Sequence, residues 1–493
     1  MKFSLIGKRN FFVFILLLFL AISFILLFFV KGDIKTVNYV FLLLVIPSYF
    51  LMFLANAKIH LKTNIYTIIL ALSFFFFYGH YLLVAFGFGD RLQKEYISIL
   101  SDTISVENVY KGEIIFLQAL IILVIFSCFS KNKTSDINNK VIIIPSYFNT
   151  IAKTIFLFSA VFTIITFSYE IGFGTYIEKR DFEREFYTFS SGNILFFIKY
   201  FSKWFVPSCY MLLIANSKNG KKAFFKYSFP IVVYSILYVL TGQRYELIQI
   251  FTALIIIYFI FFDKLKKRTI VFLVPFVVVG IILMTAVSYI RFDSVNRNIF
   301  TYFEMIRGNL ISEAVYSVFS ESGTTACSLI NTIEHCPNDI PYGGADFFIR
   351  LFFIAFPSVL NPFSELTTTT ISSMFSPFMY GTVKSGYGSS FVTEAYYYWG
   401  NGMYFYFVAL GLLMMFLLKK LNKQNCNALE VFVSVYVFSE LSFCVRSDVT
   451  LIFREILYYC LVPSVFIYLL SKKNKKYLIC SNKNINHFTN VKQ

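Results

Sequence analysis

The chain is 493 residues long, 57% hydrophobic and only 14% charged, with 64 Phe, 34 Tyr and a formal net charge of +17. A soluble chain of this size carries about 25% charged residues, so a water-soluble architecture is excluded. The basic excess is no sign of nucleic-acid binding, because it collects beside apolar runs, where it anchors a membrane protein.

Apolar runs long enough to cross a hydrocarbon layer of about 30 Å recur along the chain. The stretch FFVFILLLFLAISFILLFFV at 11–30 has no small-x-small cleavage pattern and reads as a first span, not a cleaved signal. Further spans are predicted at 36–55, 65–86, 112–130, 151–169, 192–215, 227–241, 245–262, 270–290, 403–418, 428–445 and 451–470. The expected fold is therefore all-α, a polytopic transmembrane helical bundle of about twelve spans. Tyr234 and Tyr238 make the seventh span less apolar, which suits a helix packed inside the bundle.

Charge orients the bundle. With a cytoplasmic N-terminus, KNK at 131–133, KNGKK at 218–222, KLKKR at 264–268, KK at 419–420 and KKNKK at 472–476 all fall on the cytoplasmic side, as the positive-inside rule selects. Both termini are then cytoplasmic, and segments 31–35, 87–111, 170–191, 242–244, 291–402 and 446–450 lie on the other face. The chain divides into nine spans over 1–290, a large extracytoplasmic loop over 291–402, three spans over 403–470 and a basic cytoplasmic tail over 471–493.

A loop of that length needs structure of its own. Within it, FTYFEMIRGNLISEAVYSVF at 300–319 mixes apolar and polar residues at roughly helical spacing. DFFIRLFFIAFPSVL at 346–360 carries Arg350 and is broken by Pro357; it is too short to span and is expected to lie at the interface or dip into the bundle. Next, PFMYGTVKSGYGSSFVTEAYYYWGNG at 377–402 is a flexible polar strip leading into an aromatic patch. Tyr396 and Tyr397 there either mark the membrane boundary or stack on sugar rings. Cys327 and Cys336 are either a local disulfide or two free thiols.

Arginines recur at the outer face. Arg244, in VLTGQRYELIQI, ends the seventh span and Arg291 ends the ninth; Arg350 sits in the loop; VRSDVTLIFREILYY places Arg446 and Arg454 at and within the twelfth. An ionisable group at membrane depth is functional by default, and the guanidinium fork matches phosphate oxygens. Two readings stay open: structural ion pairs with Glu246, Asp293, Asp448 and Glu455, or a shared site for an anionic headgroup, in which Arg244 and Arg446 face one outward cavity. His60, His80, His335 and His487 have no acidic or cysteine partners at ligand spacing, so no metal site is expected. Without a P-loop or a dinucleotide fingerprint, neither ATP-driven transport nor a nucleotide cofactor is expected.

The many Phe/Ile/Leu spans, GQR at 242–244, the large loop before the last spans, GYGSSFVTEAYYYWGNGMYFYF at 386–407 and RSD at 446–448 together resemble a family. It is that of the O-antigen or oligosaccharide repeat-unit polymerases of bacterial surface polysaccharide assembly; the O-antigen ligases are more distant. The resemblance implies a GT-C-like bundle in the bacterial cytoplasmic (inner) membrane. It also implies a glycosyltransferase that works without cofactor or nucleotide sugar, moving a growing glycan from one polyprenyl-diphosphate carrier, such as undecaprenyl diphosphate, onto a fresh lipid-linked repeat unit. Its partners would be lipid-linked oligosaccharides and membrane lipids, with a chain-length regulator protein as a candidate and no nucleic acid. In this scheme Arg244, Arg446 and Glu394 are catalytic, while Arg291, Arg350, Arg454, Tyr396 and Tyr397 bind substrate. Glu394 is the first candidate base, ahead of Glu321 and Glu304, or else a local cap or an ion-pair partner of Lys384. A flippase of lipid-linked oligosaccharide and an O-antigen ligase are the rival readings.

Overall fold

The structure, a computed structural model, describes residues 5–29, 33–59, 65–95, 98–101, 104–130, 141–171, 194–240, 245–262, 310–356, 361–380, 388–421, 425–471 and 477–481. The predicted ninth span, the GQR turn and the early part of the loop lie outside these residues.

The first half is built from α1 (Leu5–Phe29), α2 (Ile34–Val40), α3 (Ile46–Ile59), α4 (Ile65–Phe76), α5 (Gly79–Ala85), α6 (Gly89–Glu95), α7 (Val106–Phe129) and α8 (Ser146–Ile171). There follow α9 (Ile194–Ser202), α10 (Phe205–Asn216), α11 (Lys221–Leu240) and α12 (Tyr245–Phe261). At the centre stands α7, whose first turn is capped by Ser105 accepting from the Asn108 N–H, the usual way to satisfy an orphan donor. It packs on α1, α3 and α4, and the rings of Phe77 and Phe116 stack with centroids 3.7 Å apart.

The described part of the loop forms α13 (Leu310–Ser322), α14 (Thr324–His335), α15 (Asp346–Phe353), α16 (Ser364–Thr368) and α17 (Ile371–Tyr380). It is folded into the bundle: α14 packs against α7, and α13 against α5. That approach is close because Gly323, between the two loop helices, has no side chain; a Cβ there would stand 2.4 Å from the His80 ring. Small residues at such crossings let backbones meet. As the sequence predicts, α15 is amphipathic, with Phe348 and Phe352 more than half exposed and Arg350 buried on the opposite face.

The last spans are α18 (Phe391–Trp399), α19 (Met403–Leu421), α20 (Ala428–Leu441), α21 (Val449–Ile456) and α22 (Val462–Ser471), with a π turn at Leu457–Leu461. Asn427 and Glu430 close a reciprocal capping box at the start of α20.

The chain is thus helical and polytopic. Among the described residues, seven helices are long and apolar enough to cross a membrane, or eight if α4 and α5, bent by 55°, form one span. Of the other predicted spans, the sixth corresponds to α9 and α10, which meet at Lys203–Trp204, the seventh to α11 and the eighth to the 17-residue α12; the ninth lies outside the described residues.

Three short strands, β1 (Val141–Pro145), β2 (Asn425–Asn427) and β3 (Tyr477–Ser481), form one sheet in the order β2-β1-β3. β1 runs parallel to β2 and antiparallel to β3. All three come from segments that the charge pattern assigns to the same face.

Candidate functional site

A cavity of about 220 Å³ opens where α10, α11, α12, α20 and α21 converge. Each contributes from the part that the charge pattern places toward the outside of the membrane: Tyr234 late in α11, Glu246 and Gln249 early in α12, Glu440 at the end of α20, and Arg454 and Glu455 in the last turn of the short α21, which opens the twelfth predicted span. Its two cations are Lys203 and Arg454, and its carboxylates are Glu246, Glu440 and Glu455. The cavity therefore joins the helix that follows GQR to the segment that carries RSD, whose Ser447 is part of the lining.

Local breaks in regular helix aim these groups. Lys203 occupies the interruption between α9 and α10. The π turn after Glu455, a feature often found at functional positions, keeps Tyr459 on the same lining as Leu451, Ile452, Arg454 and Glu455. The Lys203 Nζ lies 5.5 Å from the Tyr459 ring centre. Glu455 is shared between two cations, 3.6 Å from Lys203 Nζ and 3.6 Å from an Arg454 terminal nitrogen. Glu246 accepts from the Tyr234 hydroxyl at 2.8 Å, and Glu440 accepts from the Gln249 amide at 2.6 Å. Partly exposed pairs such as those of Glu455 contribute only about 0.2–1 kcal/mol to stability, so stability alone is a weak reason to gather these charges in one cavity.

Next to it lies a buried knot. Asp448 stands at the N-cap of α21 but does not cap it. Its carboxylate instead accepts from Arg350 at 3.4 Å and from the Ile371 N–H at 3.2 Å, the first residue of α17. Glu394 supplies the missing cap from α18. One of its oxygens accepts from the Val449 N–H (2.7 Å) and the Tyr406 hydroxyl (2.9 Å), the other from the Thr450 N–H (3.2 Å) and the Thr450 hydroxyl (2.7 Å). A carboxylate at a helix N-terminus is favoured by the orphan donors and by the helix dipole. Arg350 also donates to the Tyr398 hydroxyl at 3.3 Å.

The structure separates the arginines that the sequence groups together. Arg350 is buried in the knot, Arg454 lines the cavity, and Arg446 is not among the lining residues: its guanidinium sits 4.9 Å from the centre of the Phe76 ring. Arg244 and Arg291 lie outside the described residues, as do Glu304 and Lys384. Glu394 is fully buried, with two donors on each oxygen, the geometry of a group that positions a helix. Tyr397 is buried in a small core with Cys336, Ile371, Phe375 and Tyr398, which holds the loop on the bundle, while Tyr396 packs at its edge. Gly343 makes that docking possible, since a Cβ there would meet the Tyr398 ring at 2.6 Å. Cys327 and Cys336 are buried thiols that are not joined in a disulfide; burial, with Asp339 nearby, pushes the Cys336 thiol up to about 12. Among the described residues no group of three or more His, Cys, Asp or Glu is arranged to hold a metal ion.

Lys203 and Glu440 escape a reading centred on arginine. The signal was present: a lysine in the middle of an apolar run at 192–215 and a glutamate near the end of another at 428–445 are intramembrane ionisable groups, and each asks for a partner or a cavity.

A family model described as O-antigen polysaccharide polymerase Wzy matches residues 10–477. No curated protein and no solved structure matches the chain.

Proposed function

The chain belongs to the O-antigen polysaccharide polymerase Wzy family, and from that membership we propose that it is a membrane glycosyltransferase of the bacterial cytoplasmic membrane. It joins polyprenyl-diphosphate-linked oligosaccharide repeat units into O-antigen or a similar surface polysaccharide on the outer face. The observation that carries this reading is the cavity between α12 and α21, with cations and carboxylates on one lining.

The reaction asks for both kinds of group. Departure of a polyprenyl diphosphate builds negative charge, which preformed cationic donors stabilise more in the transition state than in the ground state. Lys203 and Arg454, which share the cavity lining, are the candidates for this role, and Arg244, two residues before Glu246 in the sequence, is a third. The acceptor hydroxyl must also lose a proton, which a carboxylate can take. No metal or nucleotide enters the scheme, because the donor is already activated by its diphosphate.

The test is a chromosomal deletion read on gels of surface glycan. Loss of the polymerase is expected to leave single repeat units attached to the lipid core, and plasmid-borne protein should restore the ladder. Bare core with polymer accumulating on the carrier lipid would instead mark a ligase. Repeat units trapped in the cytoplasmic leaflet would mark a flippase, and either result would end the polymerase reading.

A further inference from the structure

We propose that Glu440 is the general base that deprotonates the acceptor hydroxyl, held in position by Gln249. This rests on the polymerase reading and deepens it at the same site.

The three carboxylates of the cavity differ in what engages them. Glu455 is bracketed by Lys203 and Arg454, with each of its oxygens turned to a cation. Glu246 accepts from the Tyr234 hydroxyl at 2.8 Å. Glu440 is buried, and among the described residues no lysine or arginine forms an ion pair with it. The Gln249 amide, a neutral donor, fixes one of its oxygens at 2.6 Å. A base needs an orientation fixed by its neighbours and access to the acceptor, and Glu440 has the first from Gln249 and the second from its place on the cavity lining. Glu394, the carboxylate that the sequence favours, has both oxygens engaged by the start of α21 and by Tyr406.

In the step, Glu440 takes the proton from the acceptor hydroxyl. The freed oxygen electron pair forms the new bond to the anomeric carbon of the donor sugar. On the opposite side, the bond from that carbon to the diphosphate oxygen breaks, and its electron pair leaves with the polyprenyl diphosphate beside Lys203 and Arg454. The proton on Glu440 then returns to water.

The test uses the full-length protein in proteoliposomes with purified lipid-linked repeat units. Glu440→Gln and Glu440→Ala are expected to lower kcat by about 10²- to 10⁴-fold while KM for the lipid stays near wild type. Added formate should restore part of the rate to Glu440→Ala, an effect a purely structural role would not produce. If these variants fail to accumulate in membranes, Glu440→Asp, with its oxygens drawn back by one carbon, is expected to accumulate and turn over slowly. A wild-type rate from any of the three overturns the assignment, as does a lowered rate with raised KM and no rescue by formate. If the wild-type protein itself makes no polymer, the polymerase premise falls; if it polymerises and Glu440→Gln matches it, only the base is wrong.

Discussion

Replacing Arg454 by Ala is expected to leave surface glycan with single repeat units while the protein remains in the membrane, and Lys203→Ala should do the same. Loss of one preorganised donor to developing negative charge costs about 10²- to 10³-fold in kcat. The fold should tolerate each change, because Glu455 is shared: when one cation is removed the other stays 3.6 Å away. That arrangement separates catalysis from stability at these two positions. Arg454→Lys should recover only part of the activity, since an ammonium keeps the charge but not the planar fork. Rates from purified protein in proteoliposomes, set against membrane abundance on immunoblots, decide the matter. A full ladder from the double Ala variant would remove the anion-binding role from this cavity.

Asp448→Asn should have the opposite signature, a protein that is unstable before it is inactive. Asp448 and Arg350 are each about 1% exposed, and stripping a buried ion pair of one charge costs about 3–5 kcal/mol. The Arg350 Nε and one Asp448 oxygen already lack partners, so little remains to compensate. Three helix starts or faces depend on this contact: α15 through Arg350, α17 through the Ile371 N–H, and α21 through Asp448 itself. Thermal unfolding of detergent-solubilised protein should show a lowered midpoint for Asp448→Asn. An Arg350→Leu, Asp448→Leu double variant should regain much of the loss, because a matched apolar pair leaves no buried charge unpaired. An unchanged midpoint in Asp448→Asn would mean that the pair holds nothing together.

Those two contacts also show what could be read from the chain before it folded. The helical class and the membrane setting followed from run length and composition, whereas the burial of Arg350 did not: the sequence grouped it with the outer-face arginines, and the structure folds it inward onto Asp448. The Phe391–Trp399 segment was legible as important, but the reason was not: Glu394 lies 55 residues from the helix start it caps, and only folding brings it to Val449 and Thr450. Likewise RSD reads as a unit in sequence, yet its three side chains part. Arg446 goes to Phe76, Ser447 to the cavity and Asp448 to Arg350. A short motif reports that a corner is special without saying which of its groups faces the ligand. Lys203 and Glu440 were hidden for a different reason, since a single charge inside an apolar run reveals nothing about its neighbours on other helices.

The π turn at Leu457–Leu461 gives this last span slack in length. A turn of this kind holds one residue more than an α-turn, so excising one of the five lets it close as ordinary α-helix, and the stretch holding Arg454 and the stretch beyond it keep their headings. Val465, Tyr468 and Leu469, now more than half exposed, would stay outward. The same excision inside α22 meets no such slack and would turn everything beyond it by about 100°, the angle one α-helical residue sweeps.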